Sequence, residues 1–248
     1  MTPDIHRGHF PDSPLEARGS LPAGEWLRVG LLAGLVAAVV AMVFDLTIAE
    51  HVVDRAVVLE ARGHHATLAM PEPFSRSGQR GGLVTGELIL GVGVAFLLAG
   101  VATFLGPRAR STAGLWILMT AAGIWGVVLL PGLVYPPLPP GVPSAVGIGE
   151  RQLLYLAVVA VGVGGFAAAV HVWSTTLPFR VPLAVAVALV PAGLAFALLP
   201  DTGADTAHLP AGFLTDFRIV SVGSQLLFWT AMAVVGVLLL RRSHQSSP

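Results

Sequence analysis

Six stretches of the chain are apolar for about the length of a membrane crossing, at about 27–49, 83–105, 113–134, 152–173, 181–199 and 219–240. A spanning helix needs roughly 20 such residues. Lipid gives an unpaired backbone group no partner, so the pattern predicts helices rather than strands. Prolines mark the exits: Pro107, Pro131, Pro136, Pro178, Pro182 and Pro200. The fifth stretch is the shortest and carries Pro191 near its middle, which predicts a kink. No period of 20–50 residues recurs. Residues 1–25 are polar and rich in Pro and Gly, the composition of a disordered extension. That long polar lead, with no small-x-small cleavage site after the first apolar run, favours a retained span over a signal peptide. The expected organisation is an all-α integral membrane protein with a membrane domain over 26–241 and a short tail over 242–248.

The connections are unequal. GPRARST and STTLPFR are short and hold no acid and no His. The other three are long: Glu50 to Gly82, Tyr135 to Gln152, and Leu199 to Arg218. Arg7, Arg18, Arg28, Arg108, Arg110, Arg180, Arg241 and Arg242 fall on the side of the short loops. Arg55, Arg62, Arg76, Arg80, Arg151 and Arg218 fall on the other. This bias predicts cytoplasmic termini, short cytoplasmic loops and longer extracytoplasmic ones, in a cell membrane. Long loops more often carry function, so the chemistry is expected outside.

Composition agrees with that picture. The chain is 54% hydrophobic and 11% charged, against about 25% charged in soluble domains. Its formal net charge is zero, and no basic face points to nucleic acid. All the cations are Arg. Cysteine is absent, which removes disulfides, thiolate metal sites, iron–sulfur clusters and Cys nucleophiles. No Walker A loop, Gly-x-Ser-x-Gly, His-Glu-x-x-His or dinucleotide fingerprint occurs, so neither ATP hydrolysis nor a familiar hydrolase is indicated.

The candidate chemistry begins where the first apolar run ends. FDLTIAEHVVDRAVVLEARGHH (Phe44 to His65) brings Asp45, Glu50, His51, Asp54, Glu60, His64 and His65 into one segment. Glu50 and Asp54 share a helical face, as do His51 and Arg55. The first helix is expected to continue to about Arg62, with Gly63 ending it. Carboxylate and imidazole suit divalent first-row metals such as cobalt, nickel or zinc. A solvated helix end with ion pairs is the plainer explanation, above all for Glu60, His64 and His65. It serves less well for Asp45, Glu50 and His51, because a charge at mid-membrane costs roughly 2.5–3.5 kcal/mol.

Glu87 stands inside the second span, expected at a depth similar to Asp45, where two carboxylates can share a cation or a proton. The alternative is an ion pair with Arg151 or Arg218. Gly82, Gly86, Gly91 and Gly93 flank Glu87 and let another helix come close. The third long loop adds His208. GERQLLY (Gly149 to Tyr155) opens the fourth span with Glu150, Arg151 and Gln152. FLTDFRIVSVGSQLLFW (Phe213 to Trp229) opens the sixth with Arg218, followed by a polar stripe of Ser221, Ser224 and Gln225. That stripe faces a water path or bonds helix to helix. His171, near the far end of the fourth span, reads as an interfacial residue.

Taken in order, LLAGLVAAVV…AEHVVDRAVVLE, the Gly-rich second span, LLPGLVYPPLPPGVPSAVGIGERQLLYL and LPDT…FLTDFRIVSVGSQLLFW resemble the CbtA family of cobalt transporter subunits. The resemblance runs from about residue 27 to 240. Its most specific pieces are YPPLPPG followed by GERQ, and the Phe-Arg-x-x-Ser start of the last span. It implies a membrane subunit of a cobalt uptake system linked to cobalamin biosynthesis, with cobalt as transported substrate and no firmly assigned cofactor. It also implies a small one-span CbtB-like partner bearing His residues. By position, the family-like polar residues are Glu50, Glu60, Glu150, Arg151, Gln152, Arg218 and Ser221. Asp45, Glu50, His51, Glu87, His64, His65 and His208 form the candidate metal set. A membrane-embedded enzyme, sensor or scaffold using the same outer face is the competing reading; as an uptake component the chain is no enzyme.

Overall fold

A computed structural model describes residues 21–63, 75–140, 142, 146–200, 206 and 209–245. Among them there is no strand, and six helices are long and apolar enough to cross a membrane. We number them α1 (Ala23–Leu59), α2 (Arg76–Arg108), α3 (Thr112–Val134), α4 (Ile148–Trp173), α5 (Arg180–Leu198) and α6 (Phe213–Ser243). Each begins or ends within a few residues of its apolar run. As expected from sequence, α1 continues into the polar stretch, helical as far as Gly63, the last described residue before 75. Serine caps start two of the helices: Ser75 accepts from the Gly78 N–H at 3.2 Å, and Ser111 from the Gly114 N–H at 3.2 Å, each satisfying a donor the first turn cannot pair internally.

The helices pack side by side in the order α2, α1, α6, α3, α4, α5. Glycine decides the closest backbone approach. A methyl group on Gly34 would stand 2.3 Å from the Gly91 carbonyl oxygen, and one on Gly30 would stand 2.9 Å from that of Ala95. Small residues let the two backbones touch where lipid supplies no hydrophobic drive. Of the glycines flanking Glu87, only Gly91 does this. A Cβ on Gly82, Gly86 or Gly93 meets nothing within 4 Å, so those three turn away from any neighbouring helix.

The buried centre lies toward the short-loop end. Trp26 of α1 stacks on Trp116 of α3, with ring centroids 6.5 Å apart. The Trp116 Nε1–H donates to the Met232 carbonyl at 3.0 Å, and Gly236 leaves room for the indole. Phe228, Trp229, Met232 and Leu240 complete this core from α6. The α4–α5 pair is peripheral, with most of its apolar side chains facing outward.

Two helices contain π turns, Asp45–Ala49 in α1 and Ile124–Leu129 in α3. The second has a visible cause. Pro131 brings no N–H to the Val127 carbonyl, and the Tyr155 hydroxyl donates to that carbonyl instead, at 2.8 Å. Pro191, by contrast, lies inside α5 without interrupting the helix.

Candidate functional site

The first π turn sits where charge enters α1. A π turn carries one residue beyond the α-helical repeat, and such turns are frequent at functional sites. Beside it, α1, α2 and α6 enclose a cavity of about 410 Å³. Asp45, Ala49 and Glu50 line it from α1; Arg76, Gln79, Arg80 and Leu83 from α2; Ser221, Ser224 and Gln225 from α6. The polar stripe of α6 therefore faces a cavity rather than lipid. The Asp45 carboxyl faces the Ser224 hydroxyl across it.

Glu50 is the mouth of this cavity. It is the one buried charged side chain among the described residues. Its Oε1 receives the Arg76 Nη2–H and the Arg80 Nε–H, each at 2.8 Å. Arg76 also reaches Asp54 through Nε at 3.1 Å, and it donates to the Gln79 Oε1 at 2.8 Å. Two carboxylates spaced by four on α1 thus meet two guanidiniums spaced by four on α2. That complementarity was present in the sequence, at the two ends of one loop, but periodicity within a single helix does not reveal it.

Glu87 lies deeper. The α1–α2 seam pairs Gly30 with Ala95 and Gly34 with Gly91, and Gly91 also reaches Ala38. In antiparallel helices each step up one is a step down the other. Glu87 is then level with the segment from Ala38 to Met42, one to two turns below Asp45, or roughly 5–10 Å at 1.5 Å per residue. The matching depth expected from sequence is corrected to a stagger, because the glycine contacts fix the register. Glu87 remains within electrostatic reach of Asp45. One of its carboxyl oxygens is buried with no hydrogen-bond partner, as is the Arg218 Nε. No ion pair joins Glu87 to Arg151 or Arg218. Glu50, Asp45 and Glu87 make a descending series of single carboxylates, with Ser221, Ser224 and Gln225 as neutral oxygen donors alongside the first two.

Other expected donors stand apart. His51 is exposed and does not line the cavity, since the residue next to Glu50 on a helix points about 100° away. Glu150 and Gln152 are exposed and Arg151 half-buried at the start of α4, away from the cavity. Glu60 falls in the last turn of the α1 helix, but its side chain lies outside the described residues, as do His64, His65 and His208. Arg55 pairs with Asp216 at 3.4 Å and lies over the Phe213 ring, beside a second, shallower groove. Among the described residues no group of three His, Asp or Glu side chains converges. What the fold assembles is a line of separate oxygen donors.

No curated protein and no solved structure matches the chain. A family model does match, over residues 24–241, with the description "Probable cobalt transporter subunit (CbtA)". Six membrane-length helices and that match together make this a multi-pass membrane protein. With that match covering the polar cavity and all six helices but the outermost residues of α1 and α6, the chain belongs to the CbtA family.

Proposed function

We propose that this chain carries cobalt, or a closely similar divalent cation, inward across the cell membrane as the membrane subunit of an uptake system serving cobalamin biosynthesis. The supporting observation is the series Glu50, Asp45, Glu87 running into an otherwise apolar bundle from the long-loop end. Carboxylates inside a membrane domain are costly and mark ion pathways. Single oxygen donors bind a divalent ion weakly enough to release it, as conduction requires. Oxygen ligands accept several first-row cations, so selectivity for cobalt falls to other donors. We assign that collecting role to His64, His65 and His208 and to a small one-span partner protein.

In this reading the long loops and the cavity mouth are extracytoplasmic and both termini cytoplasmic. Residues 26–241 act as one membrane domain, with 1–25 and 242–248 as accessories. An inside-negative potential favours cation entry by about 2.3 kcal/mol per charge per 100 mV, so a pathway alone suffices for downhill uptake.

Cobalt influx into proteoliposomes holding the chain, with and without its partner, tests the proposal. Asp45→Asn and Glu87→Gln should each abolish influx while the protein stays inserted and monodisperse. Influx at the unmodified rate in both variants would refute the carboxylate pathway.

A further inference from the structure

The same geometry that leads a cation inward also blocks it at the first step. A cation approaching Asp45 meets Arg76 and Arg80 at the cavity mouth, Arg80 paired with Glu50 and Arg76 shared between Glu50 and Asp54. Their charges repel the cation, and their side chains occupy the opening. Glu50 is fixed: its side chain is only 10% exposed. The arginines are freer, at 32% and 52% exposed, and each has water to swing into on a long, flexible stem. Gln79, on the same turn of α2, steadies Arg76 in the closed position.

We infer that Glu50, Arg76 and Arg80 form a latch across the cavity mouth, opened when a divalent cation displaces the two guanidiniums from the Glu50 carboxylate. The inference rests on the cation pathway proposed above. In the latched state no net charge is left unpaired at the mouth. In the open state the cation takes the place of the guanidiniums on Glu50, with Asp45 next along the wall. The exchange is a swap of partners on one carboxylate and needs no helix movement. Arg80 is half exposed and Arg76 a third exposed, so water can take up each guanidinium as the cation replaces it on the buried Glu50 carboxylate.

Accessibility of a cavity-wall thiol tests this independently of transport. The chain contains no cysteine, so Ser221→Cys places a single thiol on the cavity wall. Its labelling by small membrane-impermeant thiosulfonates, one neutral and one cationic, is timed in the inserted protein. Replacing both arginines (Arg76→Gln with Arg80→Gln) should speed labelling by both reagents about tenfold. The exchange Glu50→Arg with Arg80→Glu, beside native Arg76, should keep it slow for the neutral reagent. Acceleration of the cationic reagent alone would mean the arginines act only through their field, and would overturn the latch. Unchanged rates for both reagents would overturn it too. If the double variant fails to insert, Arg80→Gln alone decides: Arg80 is the more exposed of the two arginines, so its loss must speed labelling of Ser221→Cys by the neutral reagent. Loss of the latch with intact cobalt influx would leave the pathway standing. Absent influx with latch-dependent labelling would do the reverse.

Discussion

Pro131 denies the Val127 carbonyl its usual i+4 donor, and Tyr155 leans across from α4 to meet that carbonyl at 2.8 Å. Tyr155→Phe should lower the unfolding midpoint in detergent, by an amount matching about 0.6–1.5 kcal/mol. Thermal scanning of the variant beside the unmodified protein checks the shift. Pro131 announces a lost hydrogen bond in the sequence; the side chain that repairs it, 28 residues beyond Val127, does not announce itself. The same holds at the cavity. Asp45 and Glu87 were legible as misplaced charges, because any carboxylate within an apolar run is conspicuous. Their stagger was not, since it depends on which glycine of α1 meets which of α2. His51 read as a donor because it neighbours Glu50 in the chain, yet neighbours on a helix point apart.

Between helices, the α1–α2 seam is the most exacting contact. Gly34→Ala and Gly91→Ala each drive a methyl into a backbone carbonyl, which cannot yield as a flexible side chain would. Each should destabilise the fold by about 1–3 kcal/mol and lower the yield of monodisperse protein. Gly93→Ala, two residues from Gly91 but facing open space, should be neutral or slightly stabilising through helix propensity. If Gly91→Ala and Gly93→Ala behave alike in thermal aggregation assays, the seam is not where we place it. Helix count and approximate limits were readable from the apolar pattern, because lipid thickness sets the length of a spanning run. Neighbour relations were not readable, because every helix of such a bundle is apolar on nearly all sides and gives no directional signal.

At the scale of the molecule, six consecutive spans bring both termini to one end of the bundle. The arginine bias predicts that Pro140 and Ala207 are extracytoplasmic. In a chain with no native thiol, Pro140→Cys and Ala207→Cys should react with an impermeant reagent added to intact cells. Reaction only after the inner face is exposed would invert the topology and turn the cavity mouth toward the cytoplasm, making the pathway one for export.

The packing order has a consequence for how the protein is made. α1 emerges from the ribosome first, yet one of its two flanks is closed only by α6, the last helix synthesised. Its tryptophan, Trp26, can meet Trp116 of α3 earlier, but the core that holds it is completed only by Phe228, Trp229, Met232 and Leu240. Assembly is therefore delayed until translation ends, and a nascent chain must persist in the bilayer half-built, where quality-control proteases can sample it. A fragment ending at 206 should insert but be degraded quickly. Supplying 209–248 as a separate polypeptide should rescue its half-life in a pulse-chase experiment, because the missing piece is one whole helix with a ready-made socket. A stable lone fragment would mean that α1 is content with α2 alone.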